Sequence, residues 1–198
     1  MEYFLGLDLG QQQDYTALVV LAREQAPRVQ SPVTYQWEPA RPARLAVVKV
    51  ERVALGTPYT DVARWAAEVT RRCALKSART LLCVDVTGVG ACVVDLLREQ
   101  DLCGGWLLPV LITGGYQRTY EGDRYHVPKA DLVDGAVQAM QKGVLCAADG
   151  VRLDQLMEEM QEFGIKLGVR QDRYEGRKDD LVMALCLAIW GAGMAKVP

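Results

Sequence analysis

The 198-residue sequence sets 23 Lys and Arg against 25 Asp and Glu, for a formal net charge of -2, and half of it is hydrophobic. This length supports one well-filled core, so residues 1–198 are expected to form a single domain, and the near-neutral balance argues against nucleic-acid attraction by the molecule as a whole. Six cysteines without any C-x-x-C pair, and the sole histidine His126, argue against a disulfide framework or a zinc site. No secretory signal opens the chain, and no apolar run reaches the roughly 18 residues of a membrane span. A soluble intracellular protein with no membrane partner is expected.

Tyr3 to Leu9 reads as a strand, Gly10 to Asp14 as a polar turn, and Thr16 to Ala22 as a second strand in a hairpin. Residues 25–42, rich in proline, read as an irregular loop, and Leu45 to Leu55 as a third, valine-rich strand. From Pro58 the apolar period becomes helical through Val62, Trp65, Ala66, Val69 and Cys73, with Thr60 or Asp61 as N-cap. Leu81 to Val86 is an unbroken apolar strand of the kind buried on both faces in a parallel sheet. Thr87 to Gly90 turns it into a helix, Ala91 to Gln100. A strand over Leu107 to Thr113 follows, then a polar, basic and aromatic segment over Tyr116 to His126. Pro128 opens a helix to about Gln141, Val151 to Phe163 has helical spacing, residues 164–178 suggest a hairpin or loop, and Asp179 to about Ala192 reads as an amphipathic closing helix. The order predicts an α/β fold: a mixed central sheet of about five strands, the first three antiparallel, with helices on both faces.

Three of the apolar segments deliver an aspartate: Asp8 at the end of the first strand, Asp85 at the end of the fourth, and Asp179 with Asp180 at the start of the last helix. A carboxylate at the edge of a core costs several kcal/mol unless it is paired or binds a cation. Hard divalent ions favour clustered carboxylate oxygens, and two such ions roughly 4 Å apart form a site for phosphodiester cleavage. Asp179 and Asp180 lie about 100° apart around a helix, so Asp179 is expected as the more direct ligand. Asp180 either coordinates as well or supports a ligand. The plainer alternatives are a turn-capping role for Asp85 and a helix-capping role for the Asp179–Asp180 pair. Asp14 reads as a turn residue, and His126 as structural or solvated.

The ordered set Gly6-Leu7-Asp8, Asp14-Tyr15-Thr16-Ala17-Leu18, Val84-Asp85-Val86-Thr87-Gly88-Val89-Gly90, Val127-Pro128-Lys129 and Asp179-Asp180-Leu181-Val182-Met183-Ala184 resembles the nuclease domain of phage terminase large subunits, over nearly the whole chain. The resemblance implies a ribonuclease H-like fold and a metal-dependent endonuclease that cuts concatemeric viral DNA during genome packaging. Asp8, Asp85, Asp179 and Asp180 would be its metal-binding and catalytic acids, holding two Mg²⁺ or Mn²⁺ ions. One ion is expected between Asp8 and Asp179, the other between Asp8 and Asp85. Double-stranded DNA would be the substrate, with a packaging ATPase, a small terminase subunit and a portal as partners, in the cytoplasm of a bacterial host carrying the phage or prophage.

The sequence departs from that family's pattern at Lys178, where the family often has histidine. Nor do these residues contain the G-x-x-x-x-G-K-[ST] phosphate loop of an ATPase half. Candidate DNA contacts are Arg118, Arg124 and Lys129 on one segment and Arg173, Arg177 and Lys178 on another, interleaved with tyrosines suited to stacking. Two alternatives stay open on sequence: a structure-selective resolvase-type nuclease of the same fold, and a non-catalytic DNA-binding or assembly module.

Overall fold

The computed structural model describes residues 1–10, 14–24, 28–39, 43–88, 90–163 and 179–194. Its strands are β1 (Glu2–Asp8), β2 (Ala17–Arg23), β3 (Arg28–Gln30), β4 (Trp37–Pro39), β5 (Leu45–Arg52), β6 (Arg79–Asp85), β7 (Trp106–Thr113), β8 (Thr119–Glu121), β9 (Arg124–Pro128) and β10 (Leu145–Ala147). The helices are α1 (Tyr59–Ala74), α2 (Gly90–Arg98), α3 (Lys129–Gln141), α4 (Asp154–Glu162) and α5 (Asp180–Met194). One mixed eight-stranded sheet runs β10-β5-β2-β1-β6-β7-β9-β8, and β3 pairs with β4 in a separate small sheet. This α/β architecture is consistent with the ribonuclease H-like expectation.

The expected strand count of about five is corrected to eight in the main sheet. The additions β8, β9 and β10 are short and held by backbone pairing at the edges, so they carry little periodicity for a sequence pattern to reveal. The antiparallel meander β1-β2-β5 is present, but its third member is the fifth strand of the chain. The segment expected as an irregular loop over 25–42 contributes the β3–β4 hairpin instead. His126 sits in β9 between Leu111 and Thr119 rather than in a loop. At α1 the cap position is Pro58, without a side-chain capping bond, in place of Thr60 or Asp61. The segment 164–178 lies outside the described residues.

Helices cover both faces because the central strands are apolar on both. Leu5, Leu7, Leu82 and Val84 pack with Val62, Ala66, Val93 and Leu97 of α1 and α2. Phe4, Leu81 and Cys83 pack on the other side with α3, α4 and α5. Side chains alternate along a strand, so Asp8 and Asp85 project to the same face as Phe4 and Cys83, the face that α5 covers. The register pairs Gly6 with Cys83 and Leu7 with Val84 in parallel, and the next step along both strands sets Asp8 beside Asp85. All six cysteines are free, and burial pushes the Cys83 and Cys186 thiols up to about 12, as fits inert core residues.

Helix α5 is buried from Asp180 to Ala192, not amphipathic as expected. Its run from Leu181 to Trp190 has no polar residue, which is the pattern of a helix enclosed on all sides. Each fully buried leucine contributes about 2 kcal/mol of apolar transfer. The helix rests on β1 at Gly6, where an added Cβ would come 1.9 Å from the Ala184 carbonyl oxygen and 2.7 Å from the Ala188 nitrogen. Both obstacles are backbone, so neither can swing aside. Gly6→Ala is therefore expected to destabilise the protein by about 3 kcal/mol, read as a lowered urea midpoint; an unchanged midpoint would mean that α5 does not rest on the strand at this point.

Candidate active site

Asp8 and Asp85 end adjacent parallel strands, and α5 begins over them. Asp179 is the residue before the helix: its carbonyl accepts the Met183 amide at 2.8 Å, the first bond of the α-helical ladder. An aspartate there normally turns its own carboxylate onto the amides two and three residues ahead. Here those amides are taken by another residue. Glu159 of α4, buried at 4% exposure, accepts Leu181 N–H at 2.9 Å and Val182 N–H at 3.2 Å through Oε2. The Asp179 carboxylate points elsewhere, and its Oδ2 meets Lys129 Nζ at 3.0 Å. Simple capping by Asp179 is thereby replaced.

The carboxylates act on one another. Burial raises Asp8 well above the ordinary carboxylate range, and the charges of Asp85, Asp180 and Asp179 raise it further, with Lys129 opposing them. Burial likewise raises Asp85, against hydrogen bonds from Thr87 and the pull of Lys129. The Thr87 amide donates to Asp85 Oδ1 at 2.8 Å, and the Thr87 hydroxyl accepts Ile112 N–H at 3.2 Å, pinning the turn to β7. That turn admits only glycine at position 90, where a Cβ would stand 2.2 Å from the Asp85 carbonyl oxygen. The turn role expected as the plainer alternative for Asp85 is therefore present beside its place in the cluster.

Asp180 is 8% exposed and is pushed up to about 6 by burial; Arg52 and the Tyr15 amide pull it down, Asp179 and Asp14 push it up. Asp14, exposed in the β1–β2 connection, is a turn residue as expected and also adds negative charge near Asp180. Arg52, at the end of β5, forms an ion pair with Glu159 Oε1 and brings Nε within 4.0 Å of Asp180 Oδ2. Its guanidinium also lies over the Tyr15 ring, 5.4 Å from the centroid.

The structure thus brings together Asp8, Asp85, Asp179, Asp180 and Lys129. Arg118 pairs with Asp131 at 2.5 Å and Arg124 with Asp123 at 3.8 Å, both on the exposed surface. Arg173, Arg177 and Lys178 lie outside the described residues. Tyr116 and Tyr120 are exposed, whereas Tyr125 packs its ring between Tyr120 and Trp190, at 4.7 and 5.2 Å. Arg52 and Glu159 were missed by sequence reasoning. A signal existed for Glu159: it shares the apolar stripe of Leu156, Met160 and Phe163, where a lone carboxylate demands a partner.

The cluster is a hard, all-oxygen donor set, and the Lys129 ammonium supplies the positive charge that Asp179 meets. Among the described residues, no three His, Cys, Asp or Glu side chains close into a ready cage for a metal ion. The donors fit a divalent cation in kind: burial raises Asp8, Asp85 and Asp180, and neighbouring carboxylates add to it at Asp8 and Asp180.

A stability signature follows for Asp180. Its folded value of about 6 exceeds the usual 3.8, so between these values the folded state holds the extra proton. In EDTA, stability from this group is full below about 4 and is lost as pH rises to about 6. Asp180→Asn should flatten that part of the pH–stability curve, and Asp8→Asn should raise the unfolding free energy at pH 7.5 by about 1 to 2 kcal/mol. Chemical denaturation across pH measures both; a destabilised Asp8→Asn protein would contradict the crowding.

The sequence matches no protein-family model and no curated protein sequence. The fold does find counterparts among solved structures. A human cytomegalovirus terminase nuclease domain, soaked with Mn, matches with a TM-score of 0.57 and 12% identity, over 96% of this chain and 82% of that one. The large terminase nuclease domain of bacteriophage SPP1, with bound Mn, matches with a TM-score of 0.55 and 13% identity, over 97% of this chain and 87% of that one. A Thermus thermophilus RuvC structure is less alike, with a TM-score of 0.47 at 13% identity over 98% and 94% of the two chains. The chain has the fold of terminase nuclease domains, which is the resemblance its motifs carry.

Proposed function

We propose that the protein is a metal-dependent DNA endonuclease of the terminase large-subunit type. The observation that carries this reading is the convergence of four aspartates from β1, β6 and the start of α5, close enough that the charges of Asp85, Asp179 and Asp180 raise Asp8. A purely structural module gains nothing from such crowding, which costs stability and is relieved only by cations or protons. Manganese in the SPP1 structure supports the use of a divalent ion in this fold.

Asp8 and Asp179 would hold one Mg²⁺ or Mn²⁺ ion and Asp8 and Asp85 a second, with Asp180 supporting them. Bound there, such ions supply a deprotonated water and neutralise charge on the phosphate in the transition state. Asp8, at the end of β1, would serve both. The Thr87 bonds fix the Asp85 carboxylate against rotation. Lys129, paired with Asp179 in this structure, is placed to meet a phosphate oxygen when that carboxylate is engaged. Arg118 and Arg124 contribute DNA contacts through exposed pairs that cost little to exchange for phosphate, and Arg173, Arg177 and Lys178, which lie outside the described residues, are the further basic residues assigned to DNA. The substrate is double-stranded concatemeric DNA in phage genome packaging, in the cytoplasm of the bacterial host. The partners are a packaging ATPase, a small terminase subunit and a portal.

Plasmid cleavage in Mn²⁺, in Mg²⁺ and in EDTA tests this reading. Cutting should require the cation, and Asp8→Asn, Asp85→Asn and Asp179→Asn should each lower it by about 10²-fold or more. Full cleavage by all three variants, or cutting undiminished in EDTA, would remove the cluster from the chemistry.

A further inference from the structure

Asp179 occupies the residue before α5, the place where an aspartate ordinarily folds back to cap its own helix. The two amides it would cap are bonded to Glu159 Oε2 at 2.9 and 3.2 Å, from a helix that ends before the 164–178 segment. The other Glu159 oxygen is held by Arg52, so this carboxylate has a fixed orientation in a nearly water-free position. A buried glutamate of this kind is expensive, and the apolar stripe of α4 has no need of it for packing.

We infer that Glu159 is a positioning residue for the proposed cation site: it caps α5 in place of Asp179 and so releases the Asp179 carboxylate toward Asp8 and Lys129. Arg52 orients Glu159 and spends its charge there. Its buried Nε is 4.0 Å from Asp180 and makes no hydrogen bond among the described residues. Without Glu159 two things change together. The bare Leu181 and Val182 amides draw the Asp179 carboxylate back onto its own helix, and the freed Arg52 closes on Asp180. Both remove oxygen donors from the cation. Residues that orient ligands without touching the ion commonly alter affinity by about 10- to 100-fold.

The inference rests on the nuclease proposal, and its test separates the two. Two double variants are compared with the wild type: Arg52→Gln/Glu159→Gln, which keeps an oxygen able to cap α5, and Arg52→Gln/Glu159→Ala, which does not. Neither leaves one member of the Arg52–Glu159 pair buried without the other, as a single substitution would, and both remove Arg52 from beside Asp180 equally, so that loss cancels in the comparison. Mn²⁺ affinity is measured by calorimetry at pH 7.5, and hydrogen exchange of the Leu181 and Val182 amides reports the cap. The Gln variant is expected to stay within about threefold of the wild-type affinity, and the Ala variant to bind Mn²⁺ about 10-fold or more weakly, with faster exchange of both amides. Equal Mn²⁺ affinity in the two double variants, with exchange accelerated only in the Ala variant, would make Glu159 a stability residue and overturn the inference. A folded wild type that binds no Mn²⁺ would instead overturn the nuclease proposal on which the inference stands.

Discussion

The arrangement of the site depends on a contact that involves no catalytic group, the seating of α5 on β1 at Gly6. With hydrogen in place of a side chain, the strand lets the helix backbone approach to where a Cβ would otherwise be. From that contact the distances follow. Two residues along β1 to Asp8 advance about 6.6 Å, and four residues back along α5, from Ala184 to Asp180, advance about 6 Å. The two advances match, so the start of the helix arrives over the end of the strand. Gly191 repeats the device further along α5, where a Cβ would lie 2.6 Å from Cys83 Sγ on β6. The helix is thus referenced to both strands that end in an aspartate.

What the seating brings together is electrostatically unfavourable, and the surrounding fold absorbs the cost. Thirteen consecutive buried residues of α5, nearly all apolar, supply the attraction that holds four carboxylates near one another. Lys129 offsets part of the repulsion from the first turn of α3, a poor place for a cation beside the positive end of a helix dipole. A lysine placed there is better explained by the carboxylates it faces than by its own helix. Arg52 and Glu159 offset another part as a pair whose members satisfy each other and the helix amides. Unpaired, either would be a buried charge.

The aspartates were legible in the sequence because a carboxylate at the end of an apolar strand has no ordinary reason to be there. The alternation of Phe4, Gly6 and Asp8 against Leu5 and Leu7 even fixes which face they share. Helices on both faces were equally legible, since the interiors of β1, β2 and β6 are apolar at successive positions and so on both faces. The three-residue strands were not, because their pairing is a property of the backbone and of which edge is open. Reading α5 as amphipathic overlooked that Leu181 to Trp190 offers no polar face. Glu159 was hidden differently: its helix shows an ordinary apolar stripe, and only the amides it meets on α5 reveal why an acid stands in it.

Local chemistry alone would assign Asp179 to capping, and the same four letters, Asp-Asp-Leu-Val, would serve as a helix start in any protein. The difference lies twenty residues earlier, at Glu159, whose carboxylate occupies the amides first. The freed aspartate then faces a neighbourhood too negative to receive a phosphodiester unaided. The chain's net charge of -2 provides no long-range attraction for DNA to overcome that repulsion. Neutralisation must therefore come from within the cluster. Burial and the neighbouring carboxylates favour the protonated form of Asp8, and Lys129 beside Asp179 and Arg52 beside Asp180 supply the positive charge the fold itself provides. On the proposed nuclease reading, a cation would let these carboxylates and a phosphate share one place, so the electrostatics that make the cluster costly would also make cation and nucleic-acid binding interdependent.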